Sequence, residues 1–319
     1  MGLVPYARPA LFVWFVTPLH LRIGVVDLMP KPGLAHQQFA AMIETAGAER
    51  GLQVELHALP LPPETALLDP RFCGIDWETV AAMDALIVTG TEPRAAELPA
   101  DPMRALVGHL LEVTGQVAST IFSCFSAHAA LSILHSLDRT GLPEKRRGVF
   151  PHHLWSPGHP LTQGLSAGAR APHSRWNRIG LDHLVAAGVA PVLTLPSDDD
   201  WYLATSADGL RHLFLQGHPE YHGDTLFREY RRDVRRYLSG QNDRYPVAPE
   251  FYLDQQAIDD LLAFRAAALG DRDPELMARF PSEGLIDRCR SSWDDDAKVF
   301  TGNWLGAVAG AVEGSAAAA

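Results

Sequence analysis

Three side chains of this chain could share one reaction: Cys124, His218 and Glu220. Cys124 follows an apolar, strand-like run, Val117 to Phe122, and a helical pattern begins at once behind it through Ala127, Ala129, Ala130, Leu131 and Leu134. A cysteine on such a strand-to-helix turn sits on a tight bend above a helix N-terminus. There its thiol is exposed, and the partial positive charge of the helix end favours the thiolate. This is the sulfur counterpart of the nucleophile elbow. A lone cysteine among apolar residues is ordinarily core packing, so the elbow counts only if a base and an orienting carboxylate accompany it. The stretch LFLQGHPEY, Leu213 to Tyr221, supplies both just past a strand end. Pro219 restricts the backbone between His218 and Glu220, so their side chains keep fixed relative directions. A histidine with an ordinary pKa of ~6.5 takes a thiol or hydroxyl proton near neutral pH. A neighbouring carboxylate fixes its tautomer and stabilises the imidazolium. A single His-Pro-Glu reads equally well as a solvated turn; paired with the elbow it makes a Cys–His–Glu triad. Its chemistry is acyl transfer or amide hydrolysis through a thioester. The developing oxyanion needs donors. The backbone N–H of Phe125 is one candidate, and the Gly90–Thr91 loop at the neighbouring strand end offers the second through Thr91.

These residues need a scaffold that brings strand ends together. Arg22 to Met29 (RIGVVDLM) reads as a buried first strand, and residues 35–50 carry a helical period through Phe39, Met42, Ile43 and Ala46. Gln53 to Leu59 alternates as a second strand. A proline-rich loop and a helix over 77–83 follow, then a third strand from Asp84 to Thr89, a helix over 101–114 and a fourth strand over 117–122. Strands alternating with helices at this rhythm predict an α/β fold: a doubly wound, mainly parallel sheet with helices on both faces. Sites in such sheets form at the carboxyl ends of strands, where Gly90 and Cys124 both fall. The middle is less regular. Leu142 to Phe150 reads as turn then strand, and Ala171 to Ile179 is polar and rich in donors. Residues 190–196 and 201–206 read as a strand pair around an acidic turn, Ser197 to Asp200. Leu213 to Gln216 is a further strand, with a helix from about 222 to 238. No internal repeat and no clean linker is visible. The expected organisation is an N-terminal arm (1–21), one α/β domain (22–309) whose last part, about 250–309, is a helical cap, and a disordered small-residue tail (310–319).

Composition narrows the partners. The chain has 319 residues, 47% of them hydrophobic and 20% charged, which suits a soluble globular protein. With 27 basic and 38 acidic residues its formal charge is −11, which argues against nucleic acid or an anionic membrane as the main partner. Cys73, Cys124 and Cys289 are too few and too widely spaced for a disulfide framework or a zinc site, so no metal is expected and a reducing cytoplasm fits. Ala10 to Val16 is apolar but bracketed by prolines and too short to span a membrane; it lacks a signal-peptide cleavage site and reads as an edge strand or a packing arm.

Several segments, in order, resemble the homoserine O-acyltransferases of the trans-succinylase type, within the wider class I glutamine-amidotransferase-like fold. They are VVDLMP at 25–30, LIVTG at 86–90, CFSAHAAL at 124–131, LPEKRRGVF at 142–150, PHSR at 172–175, GHPEY at 217–221 and GNW at 302–304. The resemblance covers about residues 22–306. It implies that Cys124 accepts the acyl group from an acyl-CoA co-substrate, with His218 as general base and Glu220 as its orienting partner. It implies no bound cofactor. Lys145, Ser174, Arg175 and Arg232 match positions lining the amino-acid acceptor pocket. Cations there suit a zwitterionic acceptor's carboxylate. The implied reaction is ping-pong O-acylation of L-homoserine in methionine biosynthesis, by a cytoplasmic homodimer.

Some positions depart from the family pattern. The family's Asn-Leu-Met-Pro begins here with Asp27, and its two following lysines and Thr-Glu pair become Lys31, Pro32, Ala35 and His36. After the nucleophile its Trp-Gly-Ala-Gln becomes Phe125, Ser126, Ala127 and His128. Ser126 thus replaces an elbow glycine, which requires backbone angles that suit a side chain. The family's donor-sorting residue, glutamate in acetyl-users and glycine in succinyl-users, falls near Arg94. Arg94 would pair with the distal carboxylate of a succinyl group, while Glu92 would exclude it; on balance succinyl is favoured over acetyl. Serine as acceptor, or a glutamine amidohydrolase using the same triad, are the alternatives. Against the latter, Phe122 and Ser126 stand where such domains carry glycine.

Overall fold

A computed structural model describes residues 19–29, 33–59, 76–95, 97–196, 199–282, 284–289 and 291–318. The apolar arm sequence at 10–16, Lys31 and Pro32, the proline-rich loop, Cys73, and Ser197 and Asp198 of the acidic turn lie outside them.

The strand segments read from the sequence form five parallel strands. These are β1 (His20–Val26), β2 (Gln53–Leu59), β3 (Ala85–Val88), β4 (Ser119–Ser123) and β10 (His212–Leu215). They stand in the order β2-β1-β3-β4-β10, and β9 (Trp201–Thr205), β8 (Ala190–Thr194) and the two-residue β6 (His153–Leu154) continue the sheet in antiparallel fashion. The apolar runs of β3 and β10 are what a sheet covered on both sides requires, while the edge strand β2 alternates. Alternate residues go to opposite faces. Leu86, Val88, Phe122 and Phe214 face one core with α3 (Pro102–Val113) and α4 (Phe125–His135). Ile87, Ile121, Leu213 and Leu215 face the other with α1 (Leu34–Glu49) and α8 (Asp294–Ala318). Register aligns the strand ends: Val88 lies opposite Phe122, and Ser123 opposite Leu215. Whatever follows these three strands therefore meets at one edge.

The polar stretch 171–179 is itself a strand, β7 (Arg170–Arg178). It pairs with β5 (Thr140–Pro151) as a separate antiparallel ribbon. The ribbon has a third contributor, since Val149 N–H donates to Glu250 O at 2.9 Å and Glu250 N–H to Arg147 O at 2.9 Å. Gly148 is needed there: a Cβ at 148 would overlap the Glu250 backbone.

The C-terminal part is two structures. α7 (Gln255–Gly270) packs with α6 (Thr225–Leu238), Phe280 and Trp293 in a core of its own, as a cap would. α8 instead returns to the main sheet, where Trp304 is fully buried and its indole N–H donates to Ser119 Oγ at 2.9 Å. Residues 310–318, expected as a disordered tail, continue α8. β1 likewise begins at His20, inside the span expected as an arm. No described helix is long and apolar enough to cross a membrane.

Candidate active site

Cys124 is the hinge between β4 and α4. Its N–H still donates to Leu215 O at 2.7 Å, while its carbonyl already accepts the His128 N–H at 3.2 Å. To serve both elements it takes φ 53° and ψ −107°, an arrangement unfavourable to a side chain. Ser126 helps to hold that turn. Its hydroxyl accepts from Ser123 N–H at 2.8 Å and donates to Val88 O at 2.7 Å, tying the ends of β3 and β4 together. Its own φ is not positive, so a side chain is allowed where the family carries glycine. Gly90, at the end of β3, lies directly against the elbow. A Cβ there would stand 3.1 Å from Cys124 Cβ and 3.3 Å from Ser123 O. Glycine thus keeps open the space beside Phe125 N and the sulfur. Thr91 follows it, nearly buried, with an Oγ1 that has no hydrogen-bond partner.

His218 and Glu220 leave the end of β10 and reach the same edge. His218 N–H donates to Pro172 O at 2.7 Å, which anchors the turn to β7. The imidazole Nδ1 lies 2.8 Å from Glu220 Oε1, and Cys124 is near enough to favour the charged ring. Both His218 and Glu220 are buried. Burial lowers the His218 pKa, but the Glu220 carboxylate and Cys124 outweigh it and raise the value to about 10. The three predicted catalytic residues are therefore brought together in the predicted order.

Tyr221 connects this triad to the other predicted cluster. Its ring stacks on His218 at 4.3 Å, and its hydroxyl donates to Glu229 Oε1 at 2.8 Å. Glu229, on α6, also accepts from the Ser174 hydroxyl and lies 3.5 Å from Lys145 Nζ. Burial raises the Glu229 pKa, but Lys145, Arg147 and the Ser174 hydroxyl outweigh it and bring the carboxyl down to about 2. One helical turn on, Asp233 pairs with Arg147, with Lys145 at 3.6 Å and with Arg232 Nε at 3.1 Å. Lys145, Ser174 and Arg232 thus gather around two carboxylates that the sequence reading did not select. Their signal was the i, i+4 spacing of Glu229 and Asp233 on α6.

Arg175 is placed differently. It is buried, with Nη1 donating to Asn177 O at 2.9 Å and Nη2 paired with Asp200. Asp200 Oδ1 accepts from Gln216 Nε2 at 2.9 Å, and Gln216 Oε1 accepts from Ile179 N–H at 3.2 Å and lies 2.8 Å from His128 Nε2. Because Gln216 Oε1 is an acceptor, His128 carries its proton on Nε2. Burial lowers the His128 pKa to about 4, so this ring is neutral.

The loop after β3 spans the site. Glu92 pairs with Arg232 at 3.3 Å and with Arg236 at 3.2 Å, so it closes onto α6. The backbone N–H of Arg94 and of Ala95 donate to Asp101 Oδ2 at 2.7 and 3.2 Å, which fixes the far end of the loop at the N-cap of α3. Arg139 Nη2 donates to Ala95 O at 3.3 Å, and its guanidinium lies 5.7 Å from the Phe125 ring centroid. Sequence reasoning missed Arg139 because no motif contains it.

Comparison with known proteins agrees with this architecture. The family model described as homoserine O-succinyltransferase matches residues 18–312. The homoserine O-succinyltransferase of Methylorubrum extorquens is 36% identical over 297 residues, covering 90% of this chain and 87% of that protein. That of Rhodopseudomonas palustris is 35% identical, covering 89% and 87%. The crystal structure of a glutamine amidotransferase from Thermotoga maritima is similar with a TM-score of 0.51 and 12% identity, over 91% of this chain and 98% of that one. At that identity the likeness is one of fold.

Proposed function

The chain belongs to the homoserine O-succinyltransferase family and is an O-acyltransferase, and we propose that it moves the succinyl group of succinyl-CoA to the hydroxyl of L-homoserine by way of Cys124. The observation that carries this reading is the strained Cys124 turn beside a His218 that Glu220 holds from behind.

His218 enters the first half-reaction as an imidazolium, since its pKa is raised to about 10. The Cys124 thiolate attacks the thioester carbonyl, and the oxyanion forms in the space that Gly90 leaves open, facing the Phe125 N–H and Thr91. The C–S bond to CoA breaks, and His218 gives its proton to the departing thiolate. This leaves a neutral imidazole beside a succinyl-Cys124 thioester. The homoserine hydroxyl then loses its proton to His218 as its oxygen attacks that thioester, and the Cys124 thiolate and the imidazolium are restored together.

A zwitterionic acceptor needs both signs of charge. Lys145 and Arg232 suit its carboxylate, and Glu229, held ionised by its neighbours, suits its ammonium. Arg175, turned to Asp200, acts as a positioning residue behind β7. The cytoplasm, where thiols stay reduced, suits a mechanism that needs a free Cys124.

A matrix of succinyl-CoA and acetyl-CoA against homoserine and serine tests this, with CoA release followed by a thiol reagent. Succinyl-CoA with homoserine is expected to be fastest, and Cys124→Ala to show neither turnover nor an acyl adduct by intact mass. Turnover retained in Cys124→Ala, or ammonia released from glutamine in place of CoA chemistry, would overturn the reading.

A further inference from the structure

Arg139 stands where two parts of the site meet and has no role in the proposed proton transfers. It comes from the turn between α4 and β5. It contacts the ring of Phe125, the residue that follows Cys124. It also donates to Ala95 O, on the loop that starts at Gly90 beside the Cys124 Cβ. Burial lowers the Arg139 pKa, and the neighbouring Asp101, Cys124 and Glu97 partly offset that. Asp101 is itself engaged by backbone donors, with Oδ1 accepting from Met103 N–H and Oδ2 from Arg94 and Ala95 N–H. The acceptor cluster on α6, by contrast, meets this loop at Glu92.

A dicarboxylic acyl group on Cys124 carries a free carboxylate two methylenes beyond the thioester carbonyl. Burying that charge at a closed elbow is costly without a cation. Arginine is suited to the task because its planar fork takes a carboxylate bidentately, and stacking on an aromatic ring pre-orders it. We propose that Arg139 sets the donor preference by receiving the free carboxylate of the acyl group carried on Cys124. This rests on the acyl-Cys124 reading above. It differs from the sequence-based expectation, which placed that cation at Arg94.

The test compares succinyl-CoA with butyryl-CoA, which has the same carbon count without the distal charge, and with acetyl-CoA. Acyl-enzyme formation is read as the first release of CoA thiol. Arg139→Met keeps the reach and the apolar contact with Phe125 but removes the charge; Arg139→Gln replaces it if the Met variant does not fold. The expected result is a fall of about 10- to 100-fold in kcat/KM for succinyl-CoA. Butyryl- and acetyl-CoA should stay within about threefold of wild type, and Arg139→Lys should recover part of the succinyl rate. If succinyl- and butyryl-CoA fall together, Arg139 is a brace for Phe125 and Ala95 and the proposal is wrong. It is equally wrong if neither falls. A wild-type protein that releases CoA from none of the three donors sinks the acyl-Cys124 reading itself, which is seen before any variant is made.

Discussion

At the scale of single residues, the site depends on holding Cys124 in a backbone conformation it would not choose. That strain persists because the turn is tied on several sides, by Leu215 O, by the His128 N–H and by the Ser126 hydroxyl. Ser126→Ala removes the last tie and leaves the buried Ser123 N–H and Val88 O without that partner. It should destabilise the protein by about 1–3 kcal/mol in denaturant unfolding, and Ser126→Gly by at least as much despite restoring the family's residue. Glu220 acts through His218. Glu220→Gln keeps the shape but removes the charge that raises the imidazole pKa, so turnover should fall by about 100-fold or more. The alkaline limb of the pH–rate profile should also move to lower pH. A slower variant with an unmoved limb would mean that Glu220 does not set the His218 charge. Cys124, His218 and Glu220 were legible in the sequence because each sits on a strand end that local pattern reveals. Glu229, Asp233, Tyr221 and Arg139 were not singled out, because their importance comes from what tertiary packing sets against them.

At the scale of elements, α6 organises the acceptor side of the proposed site. Glu229, Arg232, Asp233 and Arg236 stand at i, i+3, i+4 and i+7, so they share a face. That face meets Lys145 and Arg147 of β5, Ser174 of β7 and Glu92 of the loop after β3. In the proposed reaction the two halves would use different elements: the elbow for the donor, and α6 with the β5–β7 ribbon for the acceptor. Glu229→Gln should separate them. The first release of CoA should proceed near the wild-type rate, while kcat/KM for homoserine should fall by about 10- to 100-fold. Equal losses in both half-reactions would show that Glu229 supports the triad through Tyr221 instead. The parallel strands and their helices were readable because a sheet buried on both faces leaves continuous apolar runs. The ribbon was only half readable. In β7 the residues that pair and bury, His173 and Arg175, are polar, and the exposed Trp176 is apolar, so period-two alternation is inverted just where the site needs charge. The role of α8 was also misread. Residues up to 309 read as part of a helical cap and only 310–319 as a tail, yet Phe300, Trp304, Leu305 and Val308 at helical spacing close one face of the sheet.

At the scale of the whole molecule, two sets of buried and part-buried histidines oppose each other in pH. His128, His152 and His212 are lowered to about 4 by burial, and His173 well below its ordinary value for the same reason. Each stays neutral in the folded protein while its unfolded counterpart binds a proton near pH 6.5. Their contribution is therefore intact above pH 6.5 and is lost as pH falls toward 4, at up to about 1.4 kcal/mol per pH unit for each proton. Glu229, lowered to about 2, adds a further loss once pH falls below its ordinary value of 4.5. His218 has the reverse sign. Its folded value of about 10 lies above 6.5, so its contribution is complete below pH 6.5 and disappears as pH rises toward 10. Both groups turn at the same unfolded pKa, and stability should therefore peak near pH 6.5 and decline on both sides, more steeply on the acid side, where several groups act together. Thermal unfolding followed from pH 4.5 to 10 would show this as a maximum in Tm. His128→Gln, which can keep the amide contact to Gln216, should flatten the acid limb, and His218→Gln should flatten the alkaline limb alone. A Tm that rises steadily from pH 5 to 9 would mean that the alkaline loss at His218 is absent, and with it the imidazolium from which the first half-reaction starts.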